Sequence, residues 1–380
     1  MAGIVIRKLE VSESMKRKSG AARNIVFALP AAMRIIGFAL LAFFAVNLIL
    51  RDPDAARAYA GESDAILAGA QKEGELITWA VGEISFQTMV VDRFKKKYPF
   101  MKKVDAVRIP SEKLRTRLIT EAQTGKGSNV DILGLSGFEL LFLKDMGFFA
   151  PYRSPEANAI ADGFKDSSNL WASYYVNTMV TAYNTRQVAA KDIPKSWEDL
   201  LDPKWKGRIS FFEEEYEWYA NYLKFVGREK GLDFMRRLAR QELQYRGGHS
   251  QMVQLLAAGE FPIMGVAFAP RVSVVRANGA PIDWAALNPV FSNPIGMGVY
   301  KSAPHPNAAK LYVDFMLSKE IQQEVWVNAA WKGSARKDVT PKDPRWQNVK
   351  VIPLDLSFAQ KYQAIGKEFQ EVFRPHGGGR

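Results

Sequence analysis

The chain has no cysteine and only three histidines in 380 residues. The first absence excludes disulfides, thiolate-bound zinc, iron–sulfur clusters, thiol nucleophiles and a lipid anchor on cysteine. The second leaves His249, His305 and His376, scattered along the sequence, so a multi-histidine metal centre would need the fold to gather nearly all of them. Catalytic spacing is also lacking. Gly134, Leu135, Ser136 and Gly137 stand one residue out of register for a nucleophile elbow. Gly125, Lys126, Gly127 and Ser128 lack the Walker spacing and close a helix instead of joining a strand to one. Neither an enzyme nor a resident cofactor is expected. Acidic charge is in modest deficit, with 52 Lys and Arg against 40 Asp and Glu. The first sixty residues hold nine of the basic and four of the acidic side chains, which leaves +7 on the rest. That is a mildly basic body, and no nucleic-acid partner is expected.

One long uncharged apolar run is present near the start, sixteen residues from Ile35 to Leu50. Arg34 and the cluster Lys16, Arg17, Lys18 precede it, in the order of a secretory signal. Ala58, Tyr59 and Ala60 form a small-x-small triplet, so cleavage is expected before Gly61, with residues 1–60 as targeting segment. Met15 is an alternative start to Met1, because MKRK opens an ordinary basic region. An uncleaved membrane anchor is the alternative fate, although sixteen residues fall short of the roughly 20 of a span. Either way the body beyond Gly61 is expected to be exported, which fits a periplasm.

The 320 residues from Gly61 onward exceed what one core usually holds, so two lobes are expected. Residues 75–81 read as a strand, followed by a helix in which Phe86, Val90 and Phe94 recur at helical spacing. Leu114, Leu118, Ile119 and Ala122 share a face of a helix over 111–123, and Gly125 to Asn129 close it. A buried strand at 130–136 leads into a helix at 138–148. Such alternation predicts an α/β fold, a mostly parallel sheet with helices on both faces. Residues 174–184 are too long for an ordinary strand and suit one crossing between lobes. A strand at 208–212, helices at 217–240 and 249–258, and a strand at 261–269 then build the second lobe. A strand at 293–300 precedes a helix with Ala308, Leu311, Phe315 and Met316 inward. The Pro- and charge-rich stretch 332–345, a helix at 357–372 and a GGGR end complete the chain.

YYVNTMVTAYNTR (174–186), IPKSWEDLLDPKWKGRI (193–209), LLAAGEFPI (255–263) and SAPHPNAAKLYVDFMLSKEIQQ (302–323) follow one another in a familiar order. Together they resemble the solute-binding proteins of ABC importers, in the group of ferric-ion, thiamine and polyamine binders. The resemblance runs from Leu76 to about Asp338. It implies a two-lobed periplasmic-binding-protein fold of type II with a ligand cleft between the lobes. The expected division is 61–178 for lobe 1, 179–287 for lobe 2, 288–335 returning to lobe 1, and 336–380 as helix and tail. It also implies a monomer that closes on a small-molecule solute and delivers it to a permease and ATPase in the inner membrane. A sensor subunit serving a membrane kinase is the other role such a protein fills.

In open α/β sheets the cleft is lined by loops at the carboxyl ends of strands. That rule selects Glu83 after the first strand, and Ser136 with Gly137 after the strand ending at Leu135. It also selects Glu214, Glu215 and Trp218, where carboxylates beside rings suit an ammonium group. His249 and Ser250 at a helix start, and Phe268 and Arg271 after the strand FPIMGVAFA, complete the set. Each has a plainer reading: a solvated loop for Glu83, an N-cap for Ser136 and His249, a core stripe for Trp218 with Tyr222 and Phe225. Ferric binders of the group present adjacent tyrosines where this chain has Phe268 and Ala269, neither of which ligates a metal. The resemblance therefore implies a small organic solute, with a ferric role on an unusual ligand set as the alternative. The glutamates favour an amine, Arg271 and the helix start an acid.

Overall fold

The computed structural model describes residues 53–373, with side chains from Ser63 onward. The basic cluster, the apolar run, the GGGR end and His376 lie outside the described residues. The chain divides into two compact units, residues 1–61 and 62–380, and the architecture below is that of the second. Among the described residues no helix is long and apolar enough to cross a membrane.

Helix α1 (Pro53–Glu73) runs through the expected cleavage point. It leads into β1 (Glu75–Ala80), α2 (Ile84–Lys97), β2 (Lys103–Arg108), α3 (Ser111–Gln123), β3 (Ile132–Ser136), α4 (Gly137–Asp145) and the short β4 (Phe149–Ala150). Strands β2, β1 and β3 pair in parallel, in that order. The edge strand β2 carries no apolar run and is mostly exposed, which is why its sequence KVDAVR gives no strand signal. Asp131, fully buried before β3, accepts hydrogen bonds from the Ile77 and His305 amides, both at 2.7 Å. Burial raises its carboxyl above the usual range, against the pull of His305.

β5 (Ala172–Asn184) is the expected crossing strand, thirteen residues long. It is followed by β6 (Ile209–Phe212), α5 (Tyr216–Val226), α6 (Arg228–Ala239), β7 (Gln244–Arg246), α7 (His249–Ala258), β8 (Ile263–Phe268), α8 (Ala269–Ala277) and β9 (Ile282–Ala285). A second crossing strand, β10 (Val290–Tyr300), precedes α9 (Pro306–Leu317), a turn at Lys319–Ile321 and a π-helical stretch at Gln322–Ala329. β11 (Val351–Pro353), a 3₁₀ segment (Leu356–Lys361) and α10 (Tyr362–Phe373) end the described chain. The single helix expected at 217–240 is two, because Gly227 adopts φ +92°, open to glycine and strained for other residues.

The pairing registers fix the cleft. From Ala172 to Thr178, β5 pairs antiparallel with β10, which pairs antiparallel with β3. From Met179 onward it pairs antiparallel with β8 and β9. So β1, β2 and β3 run with β5 toward the second lobe, while β8 and its parallel neighbours β6 and β7 run back toward the first. Their carboxyl ends face one another across the crossing strands. The fold is α/β and two-lobed, with parallel wings joined by antiparallel crossings. One core gathers Leu76, Phe94, Ile132, Tyr174 and Trp326; the other gathers Trp197, Phe211, Trp218, Tyr219 and Phe234, and takes Phe369 and Phe373 from α10.

Candidate functional site

On the first lobe, Glu83 occupies the N-cap position of α2 without capping it, and its side chain is half exposed. Gly82 before it takes φ +112°, and its carbonyl accepts a hydrogen bond from Arg108 Nε at 3.0 Å. Glu83 pairs with Lys332 at 3.7 Å. The Lys332 side chain is 12% exposed and its ammonium lies 5.1 Å from the centre of the Tyr175 ring. Burial lowers its pKa below the ordinary lysine value; Glu83 opposes this, and the charge of Arg271 adds to it. Arg271, in the first turn of α8, thus brings a second cation to Lys332 from the opposite lobe. Its Nε is buried and has no hydrogen-bond partner among the described residues. Asn177 Oδ1, on β5 between the two lobes, is likewise buried and unpartnered.

Ser136 sits at the N-cap of α4 but does not cap it; its hydroxyl and amide both meet Ser111 Oγ at 3.1 Å. The Gly137 amide donates to Asn293 Oδ1 at 3.1 Å, so it is already used by the fold. A Cβ on Gly137 would stand 2.6 Å from Leu356 Cδ2 and 2.7 Å from Asn293 Oδ1, so a side chain there forces its neighbours to shift.

The expected ammonium wall after β6 is corrected by the structure. Trp218 is fully buried and packs on Trp197, Phe211 and Tyr222, inside the second core and away from the cleft. Its spacing with Tyr222 was the core signal. Glu215 is 3% exposed and its Oε2 is held at 2.8 Å by His249 Nε2. His249 lies between the rings of Phe212 and Phe268, each 4.6 Å away, so it is packed and paired, not a cap in water. Glu217, which the sequence did not single out, accepts a hydrogen bond from Asn293 Nδ2 at 2.8 Å. Burial, then Glu215, Glu139 and Glu112, push its carboxyl up to about 8, so it is mostly protonated at neutral pH. Glu214 and Ser250 are exposed.

The fold therefore brings Glu83 and Arg271 toward one another with Lys332 between them, and packs Phe268, His249 and Glu215 as one stack beside them. Lys332 was hidden in a stretch whose Pro and Lys content reads only as a tail; nothing local marks it. The chemistry left available is cationic. Lys332 has one half-exposed carboxylate, Glu83, as counterion and the charge of Arg271 bears on it, while of the glutamates opposite Glu215 is paired, Glu217 is protonated and Glu214 is exposed.

A family model for bacterial extracellular solute-binding proteins matches residues 130–357, and the chain belongs to that family. The family is one of binding proteins and not of enzymes. A protein of Haemophilus influenzae is 27% identical over 250 residues, 60% of this chain and 71% of the relative. A Salmonella typhimurium periplasmic protein, provisionally named for 2-aminoethylphosphonate binding, is 24% identical over 214 residues, 53% of this chain and 62% of its own length. A periplasmic binding protein of Actinobacillus pleuropneumoniae, solved with fructose-6-phosphate bound, superposes with a TM-score of 0.66 at 22% identity, over 80% of this chain and 99% of that one. That likeness is one of fold.

Proposed function

We propose that this protein is the periplasmic substrate-binding component of an ABC-type importer, and that it captures a small organic anion by lobe closure for delivery to a membrane permease and its ATPase. The observation that carries the charge assignment is Arg271, whose buried Nε lacks a partner while its charge bears on the buried Lys332. A guanidinium left without a partner at the end of a cleft strand suits a carboxylate, phosphate or phosphonate, which it grips through two parallel hydrogen bonds. The amine alternative is left with the exposed Glu214 alone, since Glu215 is held by His249, Glu217 retains its proton and Trp218 is sealed in the core. The provisional phosphonate name of one relative points the same way, whereas other relatives are named for iron. A ferric role would have to dispense with ligands at Phe268 and Ala269. The N-terminal apolar run supplies the export signal, the protein works without catalysis, and a monomer leaves both lobes free to dock.

The test is a thermal-shift and calorimetric screen of the purified protein with small phosphates, phosphonates and carboxylates, alongside polyamines and ferric citrate. A ligand at about 100 times its dissociation constant adds roughly 2.7 kcal/mol of stability. An anion is expected to do so; stabilisation by polyamines or ferric ion alone would overturn the assignment.

A further inference from the structure

The polypeptide beyond β11 does more than finish the second lobe. Both its ends are fastened there: Phe369 and Phe373 enter the second core, Glu368 pairs with Arg228 at 2.9 Å and accepts from Tyr219 Oη at 3.0 Å, and Asp355 pairs with Lys224 at 2.6 Å. The stretch between them reaches the first lobe. Leu356 packs on Gly137, Gln360 Nε2 donates to Asp145 at 2.9 Å, and the Tyr362 ring stands between Phe138 of the first lobe (5.9 Å) and Tyr216 of the second (5.3 Å). Behind this stretch lies a cavity of about 810 Å³ with Ser136, Glu139 and Glu217 in its wall. The grip is uneven. The hold on the second lobe uses buried rings and three charged contacts; the hold on the first is close packing of residues 356–361 along α4 with one exposed amide bond and one ring edge, and no charged pair among the described residues.

From this asymmetry we infer that residues 356–363 are a latch, carried on the second lobe, that gates the chamber containing Ser136 and Glu217 by docking on Gly137, Phe138 and Asp145. Opening the lobes breaks the weaker set of contacts and leaves the stronger intact. The chamber wall includes none of Glu83, Arg271 and Lys332, and the test needs no solute, so the latch and the anion assignment stand or fall separately.

Because the chain has no cysteine, Ser136→Cys introduces a single thiol into the chamber wall. Its rate of reaction with a small aromatic disulfide reagent reports access. Adding Gln360→Ala, or Tyr362→Ala, is expected to raise that rate about tenfold by favouring local opening, with cooperative melting retained. Gln360→Ala alters only an exposed hydrogen bond and keeps the test open if the tyrosine variant fails to fold. Spin labels on Met146→Cys and Lys230→Cys, one on each lobe, should move apart and broaden in distance when Tyr362→Ala is added. An unchanged thiol rate in both folded variants, or an unchanged interlobe distance, would overturn the latch.

Discussion

Glu217 Oε2 accepts a hydrogen bond of 2.8 Å from Asn293 Nδ2, while the other end of that amide accepts from the Gly137 amide at 3.1 Å. One side chain on a crossing strand thus joins a helix of the second lobe to a helix start of the first. The carboxyl it holds is shifted up to about 8 from an ordinary value near 4.5, by burial first and then by Glu215, Glu139 and Glu112.

That shift predicts a pH dependence with a definite sign. The folded protein keeps a proton that the unfolded chain loses above about 4.5. Stability from this group is therefore complete below 4.5, falls by up to about 1.4 kcal/mol per pH unit as pH rises toward 8, and is level above. Glu217→Gln imitates the protonated acid and should flatten this part of the profile, making the variant more stable than the parent at pH 8. Urea melts at pH 5, 6.5 and 8 measure it; parallel curves for the two proteins would refute the assignment.

Arg271→Ala should remove anion binding with little loss of stability, since the Nε has no protein partner to abandon. Truncating one member of a buried charge pair costs about 2–5 kcal/mol of binding, or between one and four orders of magnitude in affinity. Arg271→Lys should recover only part, because an ammonium cannot reproduce the two-pronged guanidinium contact. Titration calorimetry with the anion found in the solute screen decides it. Equal affinity in Arg271→Ala would place the solute elsewhere in the cleft.

The crossing strand was legible because a mostly apolar, strand-forming run from 174 to 184 is too long for one lobe, and β5 switches partners inside it. The strand-end rule likewise selected Glu83, Ser136 and Arg271, and the structure has each at or just beyond the carboxyl end of a strand. It gave no means of telling inward from outward on the helix that follows a strand. Trp218 and Glu217 are neighbours on α5, yet one enters the core and the other meets Asn293. Lys332 and Asn293 escaped notice for a different reason: each gains its partner from a segment more than seventy residues away, a contact with no local pattern.

Trp218 separates the two readings of its stripe. Trp218→Ala should cost about 3–5 kcal/mol of stability, the usual range for an aromatic removed from a core. Solute affinity of the folded fraction should be unchanged. Denaturant melts and calorimetry under folding conditions measure both, and a large affinity loss with normal stability would return Trp218 to the site.

Gly137→Ala tests the close approach on which the latch rests. The added Cβ would fall 2.6 Å from Leu356 Cδ2 and 2.7 Å from Asn293 Oδ1. The leucine is the end of a branched side chain and can retreat; the amide is held at its other end by Glu217 and cannot readily do so. Displacement of the 356–363 stretch from α4 relieves the clash with Leu356, and the clash with Asn293 costs stability wherever that stretch lies. The expected cost is about 1–3 kcal/mol, as for other overpacked sites. In the Ser136→Cys background the thiol should also react faster than in the parent. Both follow if the glycine seats the latch. A loss of stability with an unaltered thiol rate would mean that the contact serves packing alone.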